Sequence, residues 1–308
     1  MKNLRESWAR GGGSSGVVVL RIAGAALLTL LIGAAAQAST LVTLEDVNSK
    51  ATFELDPVSP NGMISWEVDG VDQVYEQWFY YRIGDEPERN ISEILNGEPS
   101  NLIVKTTDTG SLPAFLGGDP RDDTLSVTWV DANMRFYIVT DFKLVGGSPG
   151  SLSSDMGEQI RIVNLGSEPL DFHFFQYCNF DLQNTPHDDR VRILGGNTVQ
   201  QYDPNIMASE TVVTPPPSHY EVAWAPDILN RLNDGKANNL EDIDTLMGTG
   251  DATWAFQWDF ELTTSGTGSE VQISKDKNFF HTPEPLTVLG MFLGLGSVGA
   301  YIRRRRLR

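Results

Sequence analysis

The chain has 308 residues, with 23 basic and 41 acidic side chains and a formal charge of −18. That balance excludes a compact nucleic-acid binder, because too little positive charge is present to neutralise phosphates. With 40% hydrophobic residues, 29 Gly, 16 Pro and one Cys, it is not a collagen-like, disulfide-stapled or multi-span membrane chain, and it is long enough to bury a core. At the N-terminus, Lys2, Arg5 and Arg10 stand against Glu6, a Gly/Ser stretch follows at 11–16, and an apolar run at 22–36 ends in Ala36-Gln37-Ala38. That run reaches ~22 Å as a helix at ~1.5 Å per residue, short for a bilayer span, and the small residues Ala36 and Ala38 suit signal peptidase. Residues 1–38 therefore read as a signal peptide cleaved after Ala38. An uncleaved anchor is the alternative, since Arg21 interrupts the run and 17–20 would lengthen it.

The body, 39–282, holds 14 basic and 39 acidic residues, so its own charge is −25. Its hydrophobic period is two. Strands are predicted at 52–55, 63–68, 71–83, 102–107, 125–130, 134–144, 159–165, 172–181, 220–224, 253–262 and 270–274. In 253–262, Trp254, Phe256, Trp258, Phe260 and Leu262 share one face. In 172–181, Phe172, Phe174 and Cys178 oppose His173, Phe175 and Tyr177, so that strand is apolar on both sides and belongs near a sheet centre. Turns such as Pro60-Asn61-Gly62, Asp69-Gly70 and Gly195-Gly196-Asn197 separate the runs. The expected fold is all-β, a large antiparallel β-sandwich, jelly-roll-like or a super-sandwich. Its few short helices are predicted at 226–233 and 240–247. Pro215-Pro216-Pro217 makes a stiff connection.

No catalytic, cofactor or metal residue is selected in this body. Gly146-Gly147-Ser148-Pro149-Gly150 has the letters of a nucleophile elbow, but Pro149 lacks the N–H an oxyanion hole needs, so it reads as a turn. Residues 230–241 imitate a calcium loop, yet Leu232 cannot ligate and Lys236 opposes a cation. Asp119, Asp122 and Asp123, and Asp188 and Asp189 beside His187, read as solvated turns. Ca²⁺ is the one ion such acidic loops would admit, and no cofactor is expected. The four histidines, His173, His187, His219 and His281, show no metal-ligand spacing; His173 reads as a packed core residue and Cys178 as a buried thiol. Of the aromatics at 75–81, most are expected in the core and some on the surface, where they would stack on sugars.

At the far end, Pro283-Glu284-Pro285 precedes an apolar run at 286–302 and the cluster Arg303, Arg304, Arg305, Arg306 and Arg308. Seventeen residues reach ~25 Å as a helix, and the arginines would hold that end in the cytoplasm, leaving the body outside. The 26-residue segment 283–308 resembles the PEP-CTERM sorting signal of exopolysaccharide-producing Gram-negative bacteria. The resemblance implies recognition of Pro283, Glu284 and Pro285 by an exosortase, with the tail removed and the body released or attached at the cell surface. An ordinary single-pass anchor is the plainer alternative.

Three domains follow: 1–38, 39–282 and 283–308. The expected function is that of an exported, exosortase-processed cell-surface or matrix β-sandwich without enzymatic activity, passing through the inner membrane. Expected partners are signal peptidase and exosortase, with no nucleic acid. The alternative is a module binding extracellular polysaccharide, and a third reading is a carbohydrate-active enzyme on a sandwich scaffold.

Overall fold

The structure is a computed structural model and describes residues 41–55, 61–110 and 120–282. The strands are β1 (Leu41–Asp46), β2 (Ser49–Glu54), β3 (Gly62–Val68), β4 (Val71–Asp72), β5 (Glu76–Ile83), β6 (Arg89–Asn90), β7 (Leu102–Thr107), β8 (Thr124–Val130) and β9 (Phe136–Gly146). They continue with β10 (Ser154–Asn164), β11 (Leu170–Asn179), β12 (Arg190–Leu194), β13 (Thr198–Tyr202), β14 (Ile206–Thr214), β15 (His219–Trp224), β16 (Ala252–Leu262) and β17 (Glu270–His281). One α-helix, α1 (Asp227–Leu232), lies between β15 and β16. Burial at every second position, as along β10, is the signature of strands with one face in a core.

These strands form two sheets whose ladders are all antiparallel. The nine-stranded sheet runs β1-β2-β3-β5-β11-β16-β15, with β4 on β3 and β6 on β5; the eight-stranded sheet runs β12-β13-β14-β17-β10-β9-β8-β7. Aromatic rings from the two inner faces interlock: Phe53 meets Phe142 at 4.8 Å, Trp66 meets Phe279 at 4.5 Å and Phe172 meets Phe136 at 5.1 Å between centroids. This is the layered packing of a β-sandwich, with rings tilted or edge-on as their quadrupoles prefer. β11 lies between β5 and β16, and its residues from Phe174 onward are buried whichever way they face.

Several elements differ from the sequence expectations. β1, β12, β13 and β14 lie where no strand is predicted. The run 71–83 is broken because Asp72 Oδ1 accepts from the backbone N–H groups of Trp66, Gln73 and Val74, turning the chain before β5. Helix 226–233 exists as the shorter α1, but 240–247 is not helical. Its groups are bonded elsewhere: Leu240 N donates to Gln257 Oε1, Glu241 N to Glu221 Oε2, and the carbonyls of Ile243 and Asp244 accept from Val222 and Ile193. A helix would have to give these up. Among the described residues no helix is long and apolar enough to cross a membrane. Ala36, Ala38, Pro283, Glu284, Pro285, the run 286–302 and the arginines at 303–306 and 308 lie outside the described residues.

Candidate active site

The outer face of the nine-stranded sheet brings together polar residues far apart in sequence. Arg82 on β5 is the register partner of His173 on β11, and His173 is the partner of Asp259 on β16. His219, the first residue of β15, pairs with Gln257 two residues before Asp259, which sets it diagonally beside that carboxylate. The segment between α1 and β16 passes over these strands and adds Asn238, Asn239 and Asp242.

Asp259 is the hub. His173 Nδ1 lies 2.6 Å from Asp259 Oδ1, and Gln257 Nε2 donates to the same oxygen at 2.8 Å. A carboxylate only accepts, so Nδ1 carries the proton and Nε2 is left to exchange one. Asp171, on the exposed rim, is 3.4 Å from that Nε2. His219 lies on the other side of the hub, its Nδ1 at 3.0 Å from Asp242 Oδ2 and its Nε2 at 3.7 Å from Asp259 Oδ2. The second distance is too long for a direct hydrogen bond. Burial alone would raise the Asp259 carboxyl; the hydrogen bonds from His173 and Gln257, with the charge of the two imidazoles, hold it below its ordinary value instead. The His173 side chain is 13% exposed and those of His219 and Asp259 are 29%, so the centre is recessed yet reachable.

Arg82 holds the wall rather than the floor. Its guanidinium pairs with Glu88 at 2.6 Å, with side chains 7% and 1% exposed, and donates to Gly84 O, Asn238 O and Asn239 Oδ1. It stacks over Phe175 at 5.5 Å and sets Nη2 at 3.3 Å from His173 Nδ1. Glu88 Oε1 also accepts from Asn238 N at 2.8 Å, so one buried ion pair ties the covering segment to the sheet.

The other candidates fall elsewhere. The Gly146–Gly150 stretch is the turn between β9 and β10, closed by Ser151 N on Ser148 O at 3.0 Å. In 230–241, Lys236 pairs with Asp234 at 3.2 Å and Leu232 is buried, so the segment is a helix end and loop. Cys178 is fully buried with its thiol pushed up by that burial, and of the aromatics at 75–81 Tyr75 is exposed while Trp78, Phe79, Tyr80 and Tyr81 are core. Asp122 and Asp123 bond Thr106 and Thr109, whereas Asp119 lies outside the described residues. Two expectations are corrected. His173 is not packed among apolar side chains but faces outward to Asp259, because Phe172 and Phe174 take the core side of β11. Asp189 is not a solvated turn residue but fully buried. Asp188, Asp189 and Asp203 each offer a carboxylate oxygen within 4.8 Å of the others, and they are the grouping among the described residues with the chemistry of a metal site. On the opposite side of the molecule, a groove of about 730 Å³ crosses the eight-stranded sheet. Lysines and acids both line it, but no histidine does.

Fold and site together describe a β-sandwich bearing a histidine–carboxylate centre on one open sheet face. No protein-family model matches the chain, and no curated protein does. Among solved structures, the chain is similar in fold to a bacterial glucoamylase complexed with acarbose, with 15% identity and a TM-score of 0.52, over 81% of this chain and 33% of that one. The chain thus spans about a third of the glucoamylase. A putative aldose 1-epimerase from Escherichia coli K12 aligns with 10% identity over 79% of this chain and 99% of its own, TM-score 0.47. A galactose mutarotase-like protein from Lactobacillus casei aligns with 10% identity over 78% and 99%, TM-score 0.42. The expectation of a non-enzymatic sandwich is corrected here. The fold is one that a sugar-processing enzyme, the glucoamylase, also has, and the lack of any constellation in the sequence gives way once β5, β11, β15 and β16 stand side by side.

Proposed function

We propose that the body is a carbohydrate-active enzyme that moves protons at the anomeric centre of an aldose. The observation that carries this reading is Asp259 between two imidazoles, at 2.6 Å from His173 and 3.7 Å from His219. Anomer interconversion needs one base, one acid and no nucleophile. His173 Nε2 takes the proton of the anomeric hydroxyl, the O–H electron pair becomes the C1 carbonyl, and the C1–O5 bond breaks. The ring oxygen takes a proton from His219, and reclosure on the other carbonyl face returns both protons. Both imidazoles lie between two carboxylates, His173 between Asp259 and Asp171 and His219 between Asp242 and Asp259; the roles are assigned by His173 Nδ1–H being fixed on Asp259, which leaves Nε2 to accept, while His219 faces the hub from the other side and donates. Glycoside hydrolysis is the poorer fit, because each carboxylate at the centre among the described residues is engaged: Asp259 by His173 and Gln257, Glu88 by Arg82 and Asn238, Asp242 by His219 and Asp171 by His173.

The test follows the optical rotation of freshly dissolved α-glucose and α-galactose. Wild-type protein is expected to speed equilibration over buffer, and His173→Gln to lose ~10²–10⁴-fold of that acceleration. A wild-type protein that matches the buffer blank on both sugars removes the proposal. The enzyme is further proposed to work outside the cytosol, with the body exported by residues 1–38 and the tail at 283–308 processed after Pro283-Glu284-Pro285 recognition. Mass spectrometry of the mature termini tests this, and a protein retaining both ends in the cytoplasm would overturn it.

A further inference from the structure

At one end of the sandwich the β12–β13 hairpin opens with Arg190 opposite Tyr202, so the residues just beyond that pair, Asp189 and Asp203, stand side by side with Asp188 next to them. We propose that Asp188, Asp189 and Asp203 bind one Ca²⁺ ion.

The acidic grouping alone would not carry this; the buried atoms around it do. Asp189 is fully buried. Its Oδ2 accepts from Gln201 Nε2 at 2.8 Å and Leu182 N at 3.2 Å, while its Oδ1 is buried without any hydrogen-bond partner. Gln201, also fully buried, spends its amide N–H on Asp189 and Phe180 O and leaves Oε1 buried and unpartnered. Asp189 Oδ1 is an orphaned buried acceptor in a group of three convergent carboxylates, and its neighbour Gln201 carries a second, so the site is costly unless a positive centre uses it. No Lys, Arg or His forms an ion pair with any of the three among the described residues.

The donor set is all oxygen, which selects a hard cation. Asp203 is held in place by Asn205 N at 2.8 Å and Asp188 is exposed; three carboxylates in an irregular arrangement suit the flexible, oxygen-rich shell of Ca²⁺ better than the near-ideal octahedron Mg²⁺ demands. Gly250 N donates to Asp189 O at 3.1 Å, so the segment that carries Asp242 over the sheet is anchored at this same cluster.

The experiment uses the full chain, stripped with EGTA and returned to 150 mM KCl, with Ca²⁺ alone as the probe. Equilibrium dialysis is expected to give one ion per chain, and saturating Ca²⁺ to raise Tm by at least ~2 °C. Asp203→Asn is expected to abolish both. Asp188→Asn, at an exposed position that folding does not need, is expected to weaken binding by at least ~10-fold. Asp85→Asn, at an exposed turn elsewhere, is expected to keep wild-type binding, which separates a site from the diffuse pull of an acidic surface. No bound ion in the wild type, binding by Asp188→Asn equal to the wild type, or an equal Tm rise with Mg²⁺ at the same concentration would each overturn the assignment.

Discussion

Asp259 concentrates the chemistry of the open face in one carboxylate, because both imidazoles take their setting from it. Replacing it with Asn keeps the shape and one acceptor oxygen but removes the charge that fixes His173 with its proton on Nδ1. Asp259→Asn is expected to lose ~10²–10⁴-fold in aldose equilibration with an unchanged far-UV circular dichroism spectrum. A variant running at the wild-type rate would take Asp259 out of the centre. Arg82 acts by positioning. Arg82→Ala strands Glu88 in the interior and is expected to cost about 3–5 kcal/mol, read by urea unfolding. Neither residue announces itself in the sequence. Arg82, His173, His219 and Asp259 sit on four different strands with no shared spacing, and flanking phenylalanines disguise His173. The usable signal is faint: Arg82, His173 and Asp259 each alternate with aromatic or aliphatic neighbours on their strand, which puts them on the face away from the core.

At the scale of elements, the β8–β9 hairpin shows how a single acid fixes a turn. Asp131 accepts from Asn133 N, Arg135 N and the Arg135 guanidinium at 2.9–3.1 Å. Burial would raise its carboxyl, but the Arg135 bonds, then Asn133, hold it below the ordinary range. A group depressed in the folded state stabilises above its unfolded value of about 3.9 and loses that contribution as pH falls through the lower folded value. Asp131→Ala is therefore expected to cost about 1–3 kcal/mol at pH 7 and progressively less on acidification below pH 4, by urea unfolding across pH. Two of the strands missing from the sequence reading, β13 and β14, were hidden by polar residues on their core faces, whereas β1 and β12 alternate cleanly but are only six and five residues long. Gln201 interrupts β13 and Glu210 interrupts β14, and Lys275 and Lys277 end the predicted strand at 274 although β17 continues to His281. Where alternation was clean, as in β16, the strand and its core face were both readable. The second helix was misread because its pattern carries no trace of the side chains that capture its backbone.

For the whole molecule, Glu210, Lys275 and Lys277 join Glu158 in a charged centre between the sheets. Lys275 lies 2.6 Å from Glu158, and Lys277 pairs with Glu158 and, at 2.8 Å, with Glu210. Gln77 and Gln176 complete the bonding. Burial alone would neutralise these groups; the lysines hold Glu158 below its ordinary value, and the two glutamates hold Lys277 above its own. Two ammoniums and two carboxylates balance only as a set. Glu158→Gln leaves two buried cations to one anion and is expected to cost about 3–5 kcal/mol in urea unfolding, while a loss under 1 kcal/mol would show the set to be less tightly coupled than its distances imply.

β17 is the last strand among the described residues and yet occupies the interior of its sheet, hydrogen-bonded to β14 on one side and β10 on the other. During synthesis, Glu158 and Glu210 emerge long before the lysines that neutralise them. The eight-stranded sheet remains in two halves until residues 270–281 have left the ribosome. Folding during synthesis therefore cannot close the eight-stranded sheet until this strand arrives.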